Sequence, residues 1–431
     1  MCKELISISP IDGRYFDKVK ELSEYFSEYA LIKKRIFVEL EYLKELGKGD
    51  FTKIFDDFDL KEAKTVKKIE HTINHDVKAV EYYIKDKVPE EVKEFVHFGL
   101  TSEDVNNLAY SLLIKGFLEN VFYGKISELL KRLEFLSKQN KEVVMLARTH
   151  GQPASPTTLG KEFFVFFKRL KEQYIKLQLK KLKGKLNGAT GNYNALYFAQ
   201  PDKDWLSFSR DFISKLGLQP NLVTTQIEPK DSLVELFQVV KRINNIILNL
   251  DKDMWLYIAL DYFNLEKKED EVGSSTMPHK INPIDFENSE GNIKIANSLF
   301  TSFESLQISR LQRDLSDSTV MRNIGTAFAH SVLAYDSALK GLHKITPNIK
   351  KINEDLEKHP EVLTEAIQVF LKKINKKDAY EKLKGFSRGK KISLKKLHDF
   401  IDKLDIDKKS KDKLKKLKVN DYIGLAKLIV D

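Results

Sequence analysis

The chain of 431 residues is 42% hydrophobic and 32% charged, which describes a globular protein with room for two or three domains, not a disordered one. No apolar run reaches the roughly 20 residues that span a bilayer, and Asp12, Arg14, Asp17 and Lys18 come too early for a secretory leader. Lys and Arg number 73 against 63 Asp and Glu, giving +10, but most of the excess is lysine spread along helical stretches.

Arg14, Arg148, Arg310, Arg313 and Arg322 instead sit in polar motif segments. A planar guanidinium matches carboxylate and phosphate, so a small polyanionic ligand is expected and nucleic acid is not. Cys2 is the single cysteine, which excludes an internal disulfide framework and fits a reducing, cytoplasmic setting.

In chain order, Pro10-Ile11-Asp12-Gly13-Arg14-Tyr15 reads as a turn with an arginine at its tip. Phe26, Tyr29, Ile32, Ile36, Leu40 and Leu43 recur at helical spacing, and Gly47 and Gly49 end that helix. A second helix is expected over roughly 60–87, carrying His71, Asn74, His75 and Asp76. On one helix, His71 and His75 would share a face, but no third ligand stands in a recognisable metal spacing, so no metal is expected. His97-Phe98-Gly99-Leu100-Thr101-Ser102-Glu103-Asp104 then supplies a helix start. Thr101 with Asp104 approximates a capping box, and a hydroxyl-bearing helix N-terminus can also seat a carboxylate or phosphate.

From 103 to about 346 the apolar periodicity is helical and the segments are long, so the class is all-α. Arg148-Thr149-His150-Gly151-Gln152-Pro153-Ala154 interrupts them as a rigid turn that projects His150. A histidine titrates near neutral pH, as a proton donor must. The Gly188–Asn194 segment and Thr224-Thr225-Gln226-Ile227-Glu228-Pro229 are further polar loops.

Residues 266–282 should form an exposed, mobile loop containing Gly273-Ser274-Ser275-Thr276-Met277-Pro278-His279-Lys280-Ile281-Asn282-Pro283. Three hydroxyls and a lysine suit a lid that closes on an anion better than a connector. Asn282 caps the next helix, with Pro283 at its first position and Asp285 and Glu287 in its first turn. In Arg310–Arg322, Arg313, Ser318 and Arg322 either converge on one phosphate or pair with Asp314 and Asp317. The tail from 347 is lysine-rich, with enough Leu and Ile for a small helical domain.

The loop Gly273–Pro283 matches every specified position of the fumarase/aspartase superfamily signature, and Thr149-His150-Gly151-Gln152-Pro153-Ala154 resembles its histidine motif. His75-Asp76, Gln226–Pro229, Glu287-Asn288-Ser289-Glu290-Gly291-Asn292 and Arg313–Arg322 resemble the bacterial adenylosuccinate lyases, from Asp12 to Leu428. Ile73 replaces an expected threonine, and the acidic stretch Glu269–Glu271 also departs from the family.

The resemblance implies three helical domains, 1–98, 99–346 and 347–431. The central long-helix bundle would assemble as a homotetramer with a superhelical core and shared active sites. It implies β-elimination of fumarate from adenylosuccinate and from the succinyl-carboxamide ribotide, without a cofactor. Ser274 would take the Cβ proton, His150 would protonate the departing nitrogen, Lys280 would stabilise the charge and Glu287 would pair with the histidine. Arg14, Tyr15, Arg313, Ser318 and Arg322 would hold phosphate, and Thr101, Ser102, Thr149, Lys280 and Asn282 the succinyl carboxylates. Asn74, His75, Asp76, His97, Gln226, Ser275, Asn288 and Thr319 complete the implied substrate shell. The alternatives are another fumarate-releasing lyase (argininosuccinate lyase, fumarase or aspartase) and, from another class, a basic RNA-binding scaffold without catalysis.

Overall fold

The computed structural model describes residues 3–266, 276–277 and 279–430. Helices dominate, and the strands are pairs of two or three residues, as all-α periodicity requires. Among the described residues, no helix is long and apolar enough to cross a membrane.

Two compact units emerge. The first comprises 1–127, 172–248 and 288–337, and the second 128–171, 249–287 and 338–431. In the first unit, Ser27 opens helix Glu28–Glu45 by accepting the Ala30 amide at 3.1 Å. Ile32, Ile36, Leu40 and Leu43 of that helix meet Val66, Val80 and Ile84 in one buried cluster. Farther along, Phe117, Phe122, Phe237, Phe300 and Phe328 interlock edge-on or tilted, with centroids 4.9–6.1 Å apart. Each fully buried phenyl contributes about 1.5–3 kcal/mol, so this cluster holds the long helices of that unit together.

The helix expected over 60–87 is broken. Leu60–Ile73 stops at Asn74, which adopts a left-handed φ of 54°, and a separate helix runs Asp76–Lys85. Asn tolerates that conformation better than most residues, and His75 caps the new helix by accepting the Lys78 amide on Nδ1 at 3.1 Å. His71 and His75 therefore share no helix face. The helix after the signature loop runs Ile284–Phe303, one residue later than expected, with Asp285 and Glu287 in its first turn.

Helix Ser102–Phe117 continues through a π-helical turn, Leu118–Phe122, into Tyr123–Gln139 without a break. In the second unit, Leu146, Leu356, Leu363, Ile367, Leu383, Leu397 and Ile401 form a further core, so the lysine-rich tail is a folded helical body.

Candidate active site

Helix starts and loops of the first unit converge on an open cleft of about 520 Å³. Asn74, His75 and Asp76 enter from the helix break, and Thr101 and Ser102 from the next helix start. Gln226 and Arg313 enter from two loops, and Ser318 and Arg322 from the short helix Ser316–Met321 and its C-cap. The break at Asn74 turns these three residues out of a continuous helical surface and aims them into one opening.

Cations and hydroxyls meet at one corner of the cleft. Arg322 donates from Nη1 to Ser318 Oγ at 2.7 Å and from Nη2 to Asp76 Oδ2 at 3.2 Å. That same Oδ2 accepts from Nη2 of the buried Arg35 at 2.7 Å, and Arg35 Nε reaches Asn106 Oδ1 at 2.8 Å. Burial pushes the Asp76 carboxyl up, but Arg35 and Arg322 overcome it and leave its pKa below the usual value. Asp76, expected at the substrate, holds both arginines here and also stands on the cleft wall. Arg313 pairs with Glu103 at 3.4 Å, and Asp317 instead takes Lys230 at 2.7 Å. Arg313 and Arg322 thus pair with Glu103 and Asp76, and not with Asp314 or Asp317.

The helix start at Thr101 is fixed from behind. Asp104 accepts the Thr101 amide at 2.9 Å, the Asn187 amide at 2.9 Å and Lys185 Nζ at 3.0 Å. Both ends of the Asp104–Lys185 pair are fully buried. Burial lowers the Lys185 pKa against the opposing pull of Asp104. The same carboxylate takes the Gly188 amide at 3.1 Å, which registers the Gly188–Asn192 loop to the helix start. Gln226 Nε2 ties back to the Ala189 carbonyl at 3.0 Å. Gly191, at φ 80°, leaves no space for a Cβ, which would lie 2.2 Å from the Thr224 carbonyl oxygen.

His150 belongs to the second unit and occupies the tip of a hairpin. Strands Arg148–Thr149 and Gln152–Pro153 pair antiparallel, with His150 and Gly151 alone between them at φ 52° and 74°. Two consecutive positive φ values are the hairpin turn whose twist matches the strands, and Gly151 tolerates its half readily. The imidazole is consequently exposed at the tip. Thr149 beside it is exposed as well. Glu287 does not reach His150 within the chain; its Oε1 takes the indole N–H of Trp255 at 3.1 Å. Lys280 is exposed and Asn282 half-buried at the end of the signature loop, whereas Ser274 and Ser275 lie outside the described residues.

Some expected contacts fall elsewhere. His97 is not on the cleft wall; its Nδ1 lies 2.5 Å from Oε1 of the buried Glu39. Arg14 and Tyr15 sit on their N-terminal turn, the guanidinium 5.9 Å from the ring centre. Ile11, Asp12 and Phe16 of that segment share a hollow with Arg322. Thr319 and Asn288 are exposed helix residues that offer their carbonyls to Asn323 and Asn292. Sequence reasoning missed Glu70, Asn106 and Leu315 on the cleft wall, and Arg35 and Glu103 behind it. A charged residue at an apolar helical phase, as at Arg35, was the available signal.

The family description "Lyase" matches residues 13–296, and "Adenylosuccinate lyase C-terminal" matches 309–423. An adenylosuccinate lyase of Legionella pneumophila (strain Corby) is 46% identical over 447 residues, covering 99% of this chain and 98% of its own. That of Escherichia coli (strain K12) is 43% identical over 448 residues, with the same coverage. A fumarate lyase from Mesorhizobium sp. BNC1 superposes with a TM-score of 0.78 at 18% identity, covering 96% of each chain. A 3-carboxy-cis,cis-muconate lactonizing enzyme from Pseudomonas putida gives 0.77 at 18%, covering 97% of each. These two likenesses carry the fold alone.

Proposed function

The chain belongs to the adenylosuccinate lyases of the fumarase/aspartase superfamily, and from that premise we propose how its residues divide the reaction. It is a carbon–nitrogen lyase that releases fumarate from adenylosuccinate and leaves AMP. The same chemistry extends to the succinyl-carboxamide ribotide, which carries the same succinyl–nitrogen bond and phosphate.

The observation that carries the assignment of roles is the Arg322–Ser318 corner with Arg313 on the same cleft wall. Two guanidiniums and a hydroxyl suit a phosphate dianion, which fumarase and aspartase substrates lack. Arg14 and Tyr15, next to the hollow that borders Arg322, would reach the same phosphate. Thr101 and Ser102, at a helix N-terminus, would take a succinyl carboxylate, helped by Thr149, Lys280 and Asn282. Asn74, His75 and Gln226 would line the base and ribose.

Elimination breaks the Cβ–H bond, forms the C=C bond of fumarate and breaks the C–N bond. Ser274 removes the Cβ proton as its alkoxide, and the electrons pass transiently into the neighbouring carboxylate. Lys280 and loop amides stabilise the resulting double charge. His150 gives its proton to the departing nitrogen, so the purine leaves as a neutral amine. A donor at a hairpin tip can reach a substrate held by other elements.

The working form is a homotetramer with shared sites. Long helices leave Val165, Ile175, Trp255, Leu256 and Ile295 between 39% and 53% exposed, apolar surface that neighbouring copies would cover. Glu287 would then orient His150 of another copy. The division 1–98, 99–346 and 347–431 describes the entry helices, the assembling bundle and the tail of each subunit. The deciding experiment supplies adenylosuccinate to the assembled protein and follows fumarate and AMP together. Equimolar release is expected, and an intact substrate refutes the reading.

A further inference from the structure

We propose that Asp355 is a positioning residue for His150, acting through Arg148 and steadied by Tyr262; this rests on His150 being the proton donor. The hairpin that bears His150 is a poor platform by itself. Only Arg148–Pro153 and Thr149–Gln152 pair across it, and Pro153 has no N–H to give. The next bond, from the Ala154 amide to the Ala147 carbonyl at 2.8 Å, lies at the base, not the tip. A two-stranded ribbon this short is not stable alone.

Its rigidity comes from the tail of the chain. Arg148 Nη2 donates to Asp355 Oδ2 at 2.5 Å, while Nη1 reaches back 3.5 Å to the carbonyl of Gly151 in the turn. One guanidinium therefore spans the turn and an anchor 207 positions away. The pair is largely shielded, with the arginine side chain 26% and the aspartate 18% exposed. Asp355 is itself fixed, because Tyr262 donates its hydroxyl to the same Oδ2 at 2.5 Å. Just below, Leu146 packs in one core with Leu356, so apolar burial and the ion pair clamp the same hairpin to helix Ile349–Glu357. Neither Asp355 nor Tyr262 needs to touch substrate for this. A displacement of about 1 Å in a proton donor can cost roughly 100-fold in rate, and Asp355 restrains that displacement.

The test is a double-mutant cycle on the assembled enzyme with adenylosuccinate: Asp355→Asn, Tyr262→Phe, His150→Gln and the two doubles. Circular dichroism and subunit assembly are checked for each. Asp355→Asn is expected to lower kcat roughly 10–100-fold and to raise KM by less than about tenfold, because Thr149 is the one binding residue this hairpin carries. Added to His150→Gln, it should cost less than about twofold, since no donor remains to be positioned. If Asp355→Asn fails to assemble, Tyr262→Phe carries the same comparison with a smaller loss. Wild-type kcat in Asp355→Asn, or a full additional loss on the His150→Gln background, overturns the inference while His150 stands. Wild-type kcat in His150→Gln overturns the reading of His150, and the inference with it.

Discussion

The Arg322 guanidinium meets the Asp76 carboxylate at 3.2 Å, joining the helix break to a loop 246 positions later. Asp76 simultaneously answers the buried Arg35, so one carboxylate orients a cleft cation and neutralises an interior one.

These two duties separate on mutation. Arg322→Ala should raise KM for adenylosuccinate roughly 10–100-fold, the loss of one charge-assisted contact of about 1.5–3 kcal/mol, with a smaller effect on kcat. Asp76→Asn should in addition lower stability by about 2–3 kcal/mol, because it leaves the 2% exposed Arg35 without its charge partner. Steady-state kinetics and urea titration distinguish them; an Asp76→Asn protein as stable as wild type would contradict the bridge.

Glu39 and His97 make a pH-dependent contribution to stability. Burial depresses the His97 pKa, but the Glu39 carboxylate outweighs it and the net shift is upward. A raised folded pKa means that the pair's contribution is complete below the unfolded value of about 6.5 and fades as pH rises through the folded value. The stability gap between wild type and His97→Asn should therefore shrink as pH rises above about 6.5. Urea midpoints measured over that rise check it, and a gap that widens with pH would reverse the sign.

The Asp104–Lys185 pair should respond asymmetrically. Asp104→Asn strands a fully buried ammonium whose remaining acceptor is the Gly188 carbonyl at 2.9 Å, at a cost of about 3–5 kcal/mol. Lys185→Met should cost less, because Asp104 keeps the amides of Thr101, Asn187 and Gly188. Equal losses in chemical denaturation would argue against this account.

Catalytic roles are separable by subunit exchange. Ser274→Ala and His150→Gln should each collapse kcat and leave substrate binding measurable by calorimetry. Mixing the two inactive proteins under confirmed exchange should restore part of the activity, since some sites then combine an intact serine with an intact histidine. Persistent inactivity would count against shared sites.

The single residue Gly191 offers a steric check. Gly191→Ala should weaken binding and lower stability together, because the added carbon meets the Thr224 carbonyl and φ is positive. Thermal melts and KM would report both; an unaffected variant would show that the loop can shift freely.

The sequence by itself determined what depends on near neighbours. Apolar spacing of three and four gave the helices, Thr101 and Asp104 announced a helix start, and the signature loop and histidine motif carried the family. It also named most of the cleft wall, because those residues form short contiguous motifs. Tertiary structure decided the rest. The helix break at Asn74 depends on a left-handed cap that competes with continued helix, a balance of a few tenths to one kcal/mol that local propensity cannot settle. Glu103 looks like a surface charge until other elements cover it, the charge partner of the buried Arg35 lies 41 positions away, and the Arg148–Asp355 tether spans 207 residues. Burial and the partner of a charge are properties of packing, set by which distant segments exclude water from it.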